Sequence, residues 1–119
     1  MGLSRGENLT GETANADPFV EVSGILKAHA ANLVKISGDL RLLNFTGEIR
    51  LHPLQAGSSI MPGKVNPVIP EFLIQMSFQV IGAHAAALAT LDHGELDLNI
   101  WESTQVTNVL AALRWSAEG

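Results

Sequence analysis

The residues able to do chemistry cluster in one segment. Gly57-Ser58-Ser59-Ile60-Met61-Pro62-Gly63-Lys64-Val65-Asn66-Pro67 combines two hydroxyls, one cation and one amide with two glycines and two prolines. It leads into a helix start near Asn66-Pro67 or Pro70-Glu71, where amides without intrahelical partners and the helix dipole favour an anion. Residue types alone describe an anion-binding loop, with a carboxylate or a phosphate as ligand. It is not a phosphate loop of the G-x-x-x-x-G-K-[ST] kind, because Gly57 and Gly63 stand six apart and Val65 follows Lys64. A plainer account stays open at this point: Ser58 and Ser59 as turn residues, Lys64 as a solvated charge and Asn66 as a helix cap.

The remaining polar residues offer less. Asp92-His93 with Glu95 and Asp97 reads as a polar turn, and no set of His, Asp and Glu has metal-ligand spacing, so neither a metal nor a cofactor is expected. His29 and His84 fall in apolar helical runs and are expected to be packed and hydrogen-bonded. His52 and His93 fall in loops and are expected to face solvent. Trp101 and Trp115 read as packing residues.

The elements that must position the loop are helical. Asp17-Pro18 marks a helix start. From there Val22, Leu26, His29, Leu33, Ile36, Leu40 and Leu43 alternate in steps of four and three, a seam on one face of a helix over about 18–43. Residues 1–16 read as a flexible N-terminal arm, and 44–66 as a long Gly/Pro-rich loop with at most a short extended piece near Glu48–Leu51. A second helix is expected over about 67–92, ending at Asp92-His93-Gly94 with Gly94 as a left-handed cap. A third is expected over about 99–116. The fold class is therefore all-α: long antiparallel helices with one long loop, in a single domain.

Composition narrows the function classes. With 12 acidic against 7 basic side chains the net charge is −5, and no Lys/Arg cluster offers a surface for nucleic acid or anionic membrane. The absence of cysteine excludes disulfides and thiolate chemistry. No charged segment precedes an apolar one at the start, so a cytoplasmic location is the expectation. Only 16% of residues are charged, and mean hydropathy is +0.21. Phe72–Leu91 carries no charge at all. That run raises the question of a membrane span. Gln75, Ser77, Gln79, His84 and Thr90 interrupt it and no Lys or Arg flanks it, so a buried bundle helix is expected instead. Three helices cannot surround their own middle member, so that helix needs partners from outside the chain. A homo-oligomer, dimer or tetramer, follows.

The loop also carries a resemblance. Gly57, Ser58, Ser59, Met61, Pro62, Lys64 and Asn66 match the G-S-S-x-M-P-x-K-x-N signature of the aspartase/fumarase superfamily. Phe19-Val20-Glu21-Val22-Ser23-Gly24, Asp39-Leu40-Arg41-Leu42-Leu43, Gln55-Ala56, Val80-Ile81-Gly82 and Glu95-Leu96-Asp97-Leu98-Asn99 extend the likeness over about residues 17–113. Val68-Ile69-Pro70-Glu71 and Glu102 look more like the aspartate ammonia-lyase branch than the class II fumarase branch. The chain departs from the pattern in its connection Asn44-Phe45-Thr46-Gly47, which is shorter than the usual Ser-Gly-Pro-Arg-type link, and in Ser103, which stands where a proline often follows Glu102.

The resemblance implies a helical bundle assembled as a tetramer. It also implies an anti-elimination on a small dicarboxylate or amino-acid substrate, giving fumarate and ammonia from L-aspartate. Ser58 would be the base, acting as an oxyanion stabilised by loop amides. Ser59, Lys64 and Asn66 would bind a substrate carboxylate, within a loop shaped by Gly57, Met61 and Pro62. Glu71 would pair with a histidine of another subunit. Family members are several hundred residues long, and two further substrate-contacting regions have no counterpart here. The chain is thus expected to be a fragment that is inactive alone. The competing expectations are a fumarase-like fragment acting on fumarate and malate, and a non-catalytic helical oligomerisation fragment.

Overall fold

The computed structural model describes residue 2 and residues 4–119; Met1 and Leu3 lie outside the described residues. It contains four helices: α1 (Leu9–Ala14), α2 (Asp17–Thr46), α3 (Val68–Leu91) and α4 (Glu102–Glu118). No strand occurs among the described residues, Glu48–Leu51 included. Among the described residues two isolated bridges, Ala56 with Val65 and Glu95 with Leu98, add β-type pairing.

Local chemistry explains the boundaries. Pro18 occupies the first turn of α2, where its missing amide costs nothing. Gly47 ends the helix at φ +82, with its amide on the Leu43 carbonyl. The helix therefore continues through Asn44-Phe45-Thr46, which the sequence assigns to the loop. The residues read as an arm include the short α1, because the Asn8 side chain accepts from the Gly11 amide at 3.0 Å and starts a turn. At the end of α3, Gly94 is not the left-handed residue. The cap is Asp92, in a right-handed conformation, and Leu96 takes the positive φ of 51 within the turn closed by Glu95 and Leu98.

The chain is an elongated rod of 62 × 26 × 25 Å built on the three long helices. Its radius of gyration of 19.8 Å exceeds the roughly 13.5 Å of a compact domain of this length. Successive helices run antiparallel, with α3 between α2 and α4. Core residues Ala30, Val80, Ala83 and Ala112 are joined by Leu26, Ile81 and Trp115. Trp101, also read as a packing residue, is 41% exposed and donates from its indole to the His93 carbonyl instead.

The packed stripe of α2 keeps half of the expected seam and moves the other half by one residue. Leu26, Leu33, Leu40 and Leu43 are half-buried as the seam requires, whereas Ser23, Ala30 and Ser37 are buried in place of the exposed Val22, His29 and Ile36. The cause is backbone approach. Small residues let Ala30 of α2 pack against Val80 and Ala83 of α3, and a larger side chain in that line would hold the helices apart. His29, expected to be packed, consequently faces solvent.

The middle helix is covered on two sides only. Ser77, Val80, Ala83, His84 and Ala87 are buried in one stripe, whereas Phe78 lies exposed on the opposite side, about 180° round the helix from Ala87, and Ile69, Phe72 and Leu88 are exposed elsewhere on it. By length and composition α3 could cross a membrane.

Candidate functional site

The glycine-rich segment folds back on itself between α2 and α3. The Gly57 amide donates to the Lys64 carbonyl at 2.6 Å, next to the Ala56–Val65 bridge, and the Lys64 amide donates to the Met61 carbonyl at 3.2 Å. The reversal needs a left-handed residue, and Gly63 supplies it at φ +77. Gly57 serves a different purpose. A Cβ there would lie 3.0 Å from Asn66 Oδ1 and 3.1 Å from Lys64 Cγ. The absent side chain is what lets the cation stem and the amide meet over one backbone position.

Ser58 sits at the start of this reversal, half-buried. Its hydroxyl oxygen accepts from the Ile60 amide at 3.1 Å and from the Met61 amide at 3.3 Å. Two amide dipoles aimed at one oxygen favour negative charge on it. Ser59, Met61, Pro62 and Lys64 are exposed, and Lys64 makes no ion pair among the described residues. Asn66 is half-buried at the entry to α3. A cleft of about 450 Å³ opens beside it, walled by Arg41, Leu42, Phe45, Asn66 and Pro67.

The structure thus brings Gly57, Lys64 and Asn66 into one cluster, with Ser58 held beside them by its own backbone. Glu71 stands apart, one turn into α3, and its carboxylate accepts from Arg41 Nη2 of α2 at 3.2 Å. Within this chain its partner is therefore an arginine. In the sequence Arg41 stands out only within the run Asp39-Leu40-Arg41-Leu42-Leu43 that extends the family likeness. The pairing spans thirty residues, and no local pattern announces it.

The profile of the lyase family matches residues 2–82. The chain belongs to the lyase family. Among the relatives of this lyase chain, fumarate hydratase class II of Corynebacterium glutamicum is 44% identical over 117 residues, covering 94% of the chain and 25% of the relative. Aspartate ammonia-lyase of Pseudomonas aeruginosa shows the same identity, 44% over 117 residues, with the same coverage. The crystal structure of fumarate lyase:delta crystallin from Brucella melitensis superposes with a TM-score of 0.87 at 45% identity, over 95% of this chain and 27% of that one. The lyase chain thus spans about a quarter of the length of the proteins it matches. The all-α reading and the aspartase/fumarase resemblance both hold for it.

Proposed function

We propose that this chain supplies the signature-loop part of an aspartase-type lyase, which reversibly eliminates ammonia from L-aspartate to give fumarate. Ser58, as an alkoxide, removes a proton from the carbon next to a substrate carboxylate. Ser59, Lys64 and Asn66 hold that carboxylate, and their charge and dipoles stabilise the dianion that forms. Glu71, one turn into α3 and apart from the loop cluster, joins the scheme by pairing with a histidine of another subunit, as the resemblance implies. Support comes chiefly from Ser58, whose oxygen already accepts from two loop amides. A free serine hydroxyl is too weak an acid to act as a base, so an arrangement that lowers its pKa is a requirement of the mechanism. The fumarase reading, on fumarate and malate, stays beside it because relatives of both names match at 44% identity.

The working form we propose is a cytoplasmic homo-oligomer, a tetramer as in the family or a dimer of this chain. Neither nucleic acid nor membrane is a partner, and no cofactor is used. The uncovered side of α3 supports the assembly. Alone, the chain should be silent, since two substrate-contacting regions implied by the resemblance have no counterpart in its 119 residues.

A chimera tests the activity. Residues 2–119 replace the matching quarter of the Pseudomonas aeruginosa aspartate ammonia-lyase, and fumarate is followed by ultraviolet absorbance. Turnover of L-aspartate that Ser58→Ala lowers at least a hundredfold is expected, in line with the contribution of a positioned base of roughly 10²–10⁴. Turnover of malate in place of aspartate selects the fumarase reading. Turnover by isolated 1–119, or a Ser58→Ala chimera as active as its parent, overturns the scheme. Sedimentation tests the assembly, and a stable monomer at micromolar concentration would sink it.

A further inference from the structure

The groups named in the proposed chemistry sit on the loop, with the exception of Glu71, and the residue that holds Glu71 has no part in the scheme so far. Arg41 Nη2 of α2 donates to Glu71 Oε1 at 3.2 Å. Three ion pairs occur among the described residues. Lys35–Asp39 and Arg114–Glu118 each join residues four apart on one helix, with side chains at least half exposed. Arg41–Glu71 joins two helices, and its side chains are 46% and 31% exposed. Neither member has a local alternative. No acidic side chain stands three or four positions from Arg41 on α2, and no basic one stands at that spacing from Glu71 on α3.

Resting on the reading of the site given above, we propose that Arg41 is a positioning residue for the elimination: it holds Glu71 by one oxygen and leaves the other for the histidine of another subunit.

The chemistry of the two groups suits that division. A carboxylate has two oxygens, and a donor on one leaves the lone pairs of the other free. The bond recorded for Glu71 is on Oε1 alone. An unattached glutamate side chain samples many rotamers and has to be ordered in every turnover. The pair with Arg41 gives up part of that freedom beforehand, which is how a preorganised group lowers a barrier. A guanidinium is apt for this, being planar, always charged and rigid in its donor geometry, whereas lysine carries a point charge on a flexible stem. The location fits as well. Arg41 walls the same cleft as Asn66 and Pro67, so the pair spans α2 and the first turn of α3 beside the loop. In the scheme Glu71 holds no substrate carboxylate. Misplacing it therefore slows turnover and leaves substrate binding nearly as it was.

The test uses the chimera described above, as parent, Arg41→Gln, Arg41→Lys, Glu71→Gln and the Arg41→Gln/Glu71→Gln double variant. Arg41→Gln should lower kcat about tenfold with KM within about twofold, and Arg41→Lys should restore part of the loss. Added to Glu71→Gln, the same change should cost nothing further, because Arg41 acts through that carboxylate. A merely structural role would cost the same in both backgrounds. In the whole 119-residue chain, Glu71→Gln should shift the guanidinium resonances of Arg41 in NMR spectra. Three outcomes overturn the proposal: an Arg41→Gln chimera as active as its parent, an equal loss with and without Glu71, or Arg41 resonances that ignore Glu71→Gln. The underlying reading fails separately. Full turnover in the Ser58→Ala chimera defeats both, whereas a Ser58→Ala loss beside an unaffected Arg41→Gln defeats the role of Arg41 alone.

Discussion

The signature loop and the α2–α3 interface are ordered by opposite means. The loop is held by bonds that span ten residues or fewer: Gly57 to Lys64, Lys64 to Met61, and Ile60 and Met61 to Ser58. It buries little and packs on no core. The interface is held by packing of the buried Ser23, Ala30 and Ser37 against the alanine-rich side of α3, with polar bonds at Ser23–His84 and, nearer the loop, Arg41–Glu71. A sequence motif can specify the first kind of order, because everything it needs lies inside the motif. The second depends on which helix faces meet. A change in the interface should therefore act on the whole fold, and a change in the loop should act locally.

The largest effect should come from filling the interface. Ala87 is fully buried, and Ala87→Leu should cost about 1–3 kcal/mol, the usual range for overpacking a close-packed core. For a chain of this size that is a fall in melting temperature on the order of 4–12 °C, read by circular dichroism. A variant as stable as wild type would show that the bundle is not close-packed around Ala87.

Backbone strain ranks next. Gly63→Ala forces a side chain into the left-handed region at φ +77, at a cost of about 1–2 kcal/mol. If the loop is an autonomous unit, much of that cost is relieved by local opening, and the melting temperature falls less than for Ala87→Leu. Amide exchange should rise at Gly57 and Lys64 while α3 keeps its protection.

Ser58→Ala removes the acceptor of two amides. Exchange of the Ile60 and Met61 amides should quicken about five- to tenfold, matching the roughly 1 kcal/mol of a typical hydrogen bond, with global stability nearly unchanged. Protection of both amides unchanged in the variant would remove the local stabilisation of that oxygen.

The smallest effect belongs to the exposed polar bond at the loop end of the α2–α3 interface. Arg41→Ala breaks the contact with Glu71 between half-exposed side chains and should cost less than about 1 kcal/mol. A larger loss in thermal unfolding would mean that the pair organises the entry to α3.

Much of the architecture is legible along the chain because its signals are local. Pro18 and Pro67 mark helix starts, the uncharged run marks the middle helix, and the motif marks the loop. Other features escape for physical reasons. Half of the seam on α2, at Val22, His29 and Ile36, is misplaced by one residue because periodicity locates large apolar side chains, whereas packing there selects small ones. His29 goes outside with that shift, and α1 escapes because one side-chain bond from Asn8 is enough to start so short a helix.

By itself the sequence determined the helical class, the loop and the identity of its polar groups, and the family resemblance, all of which rest on residue types at fixed spacing. Only the tertiary structure decided which face of α2 is buried, that Glu71 meets Arg41, and that Ser23 meets His84. Those pairings depend on how closely two helices approach, and the approach is set by the small residues between them.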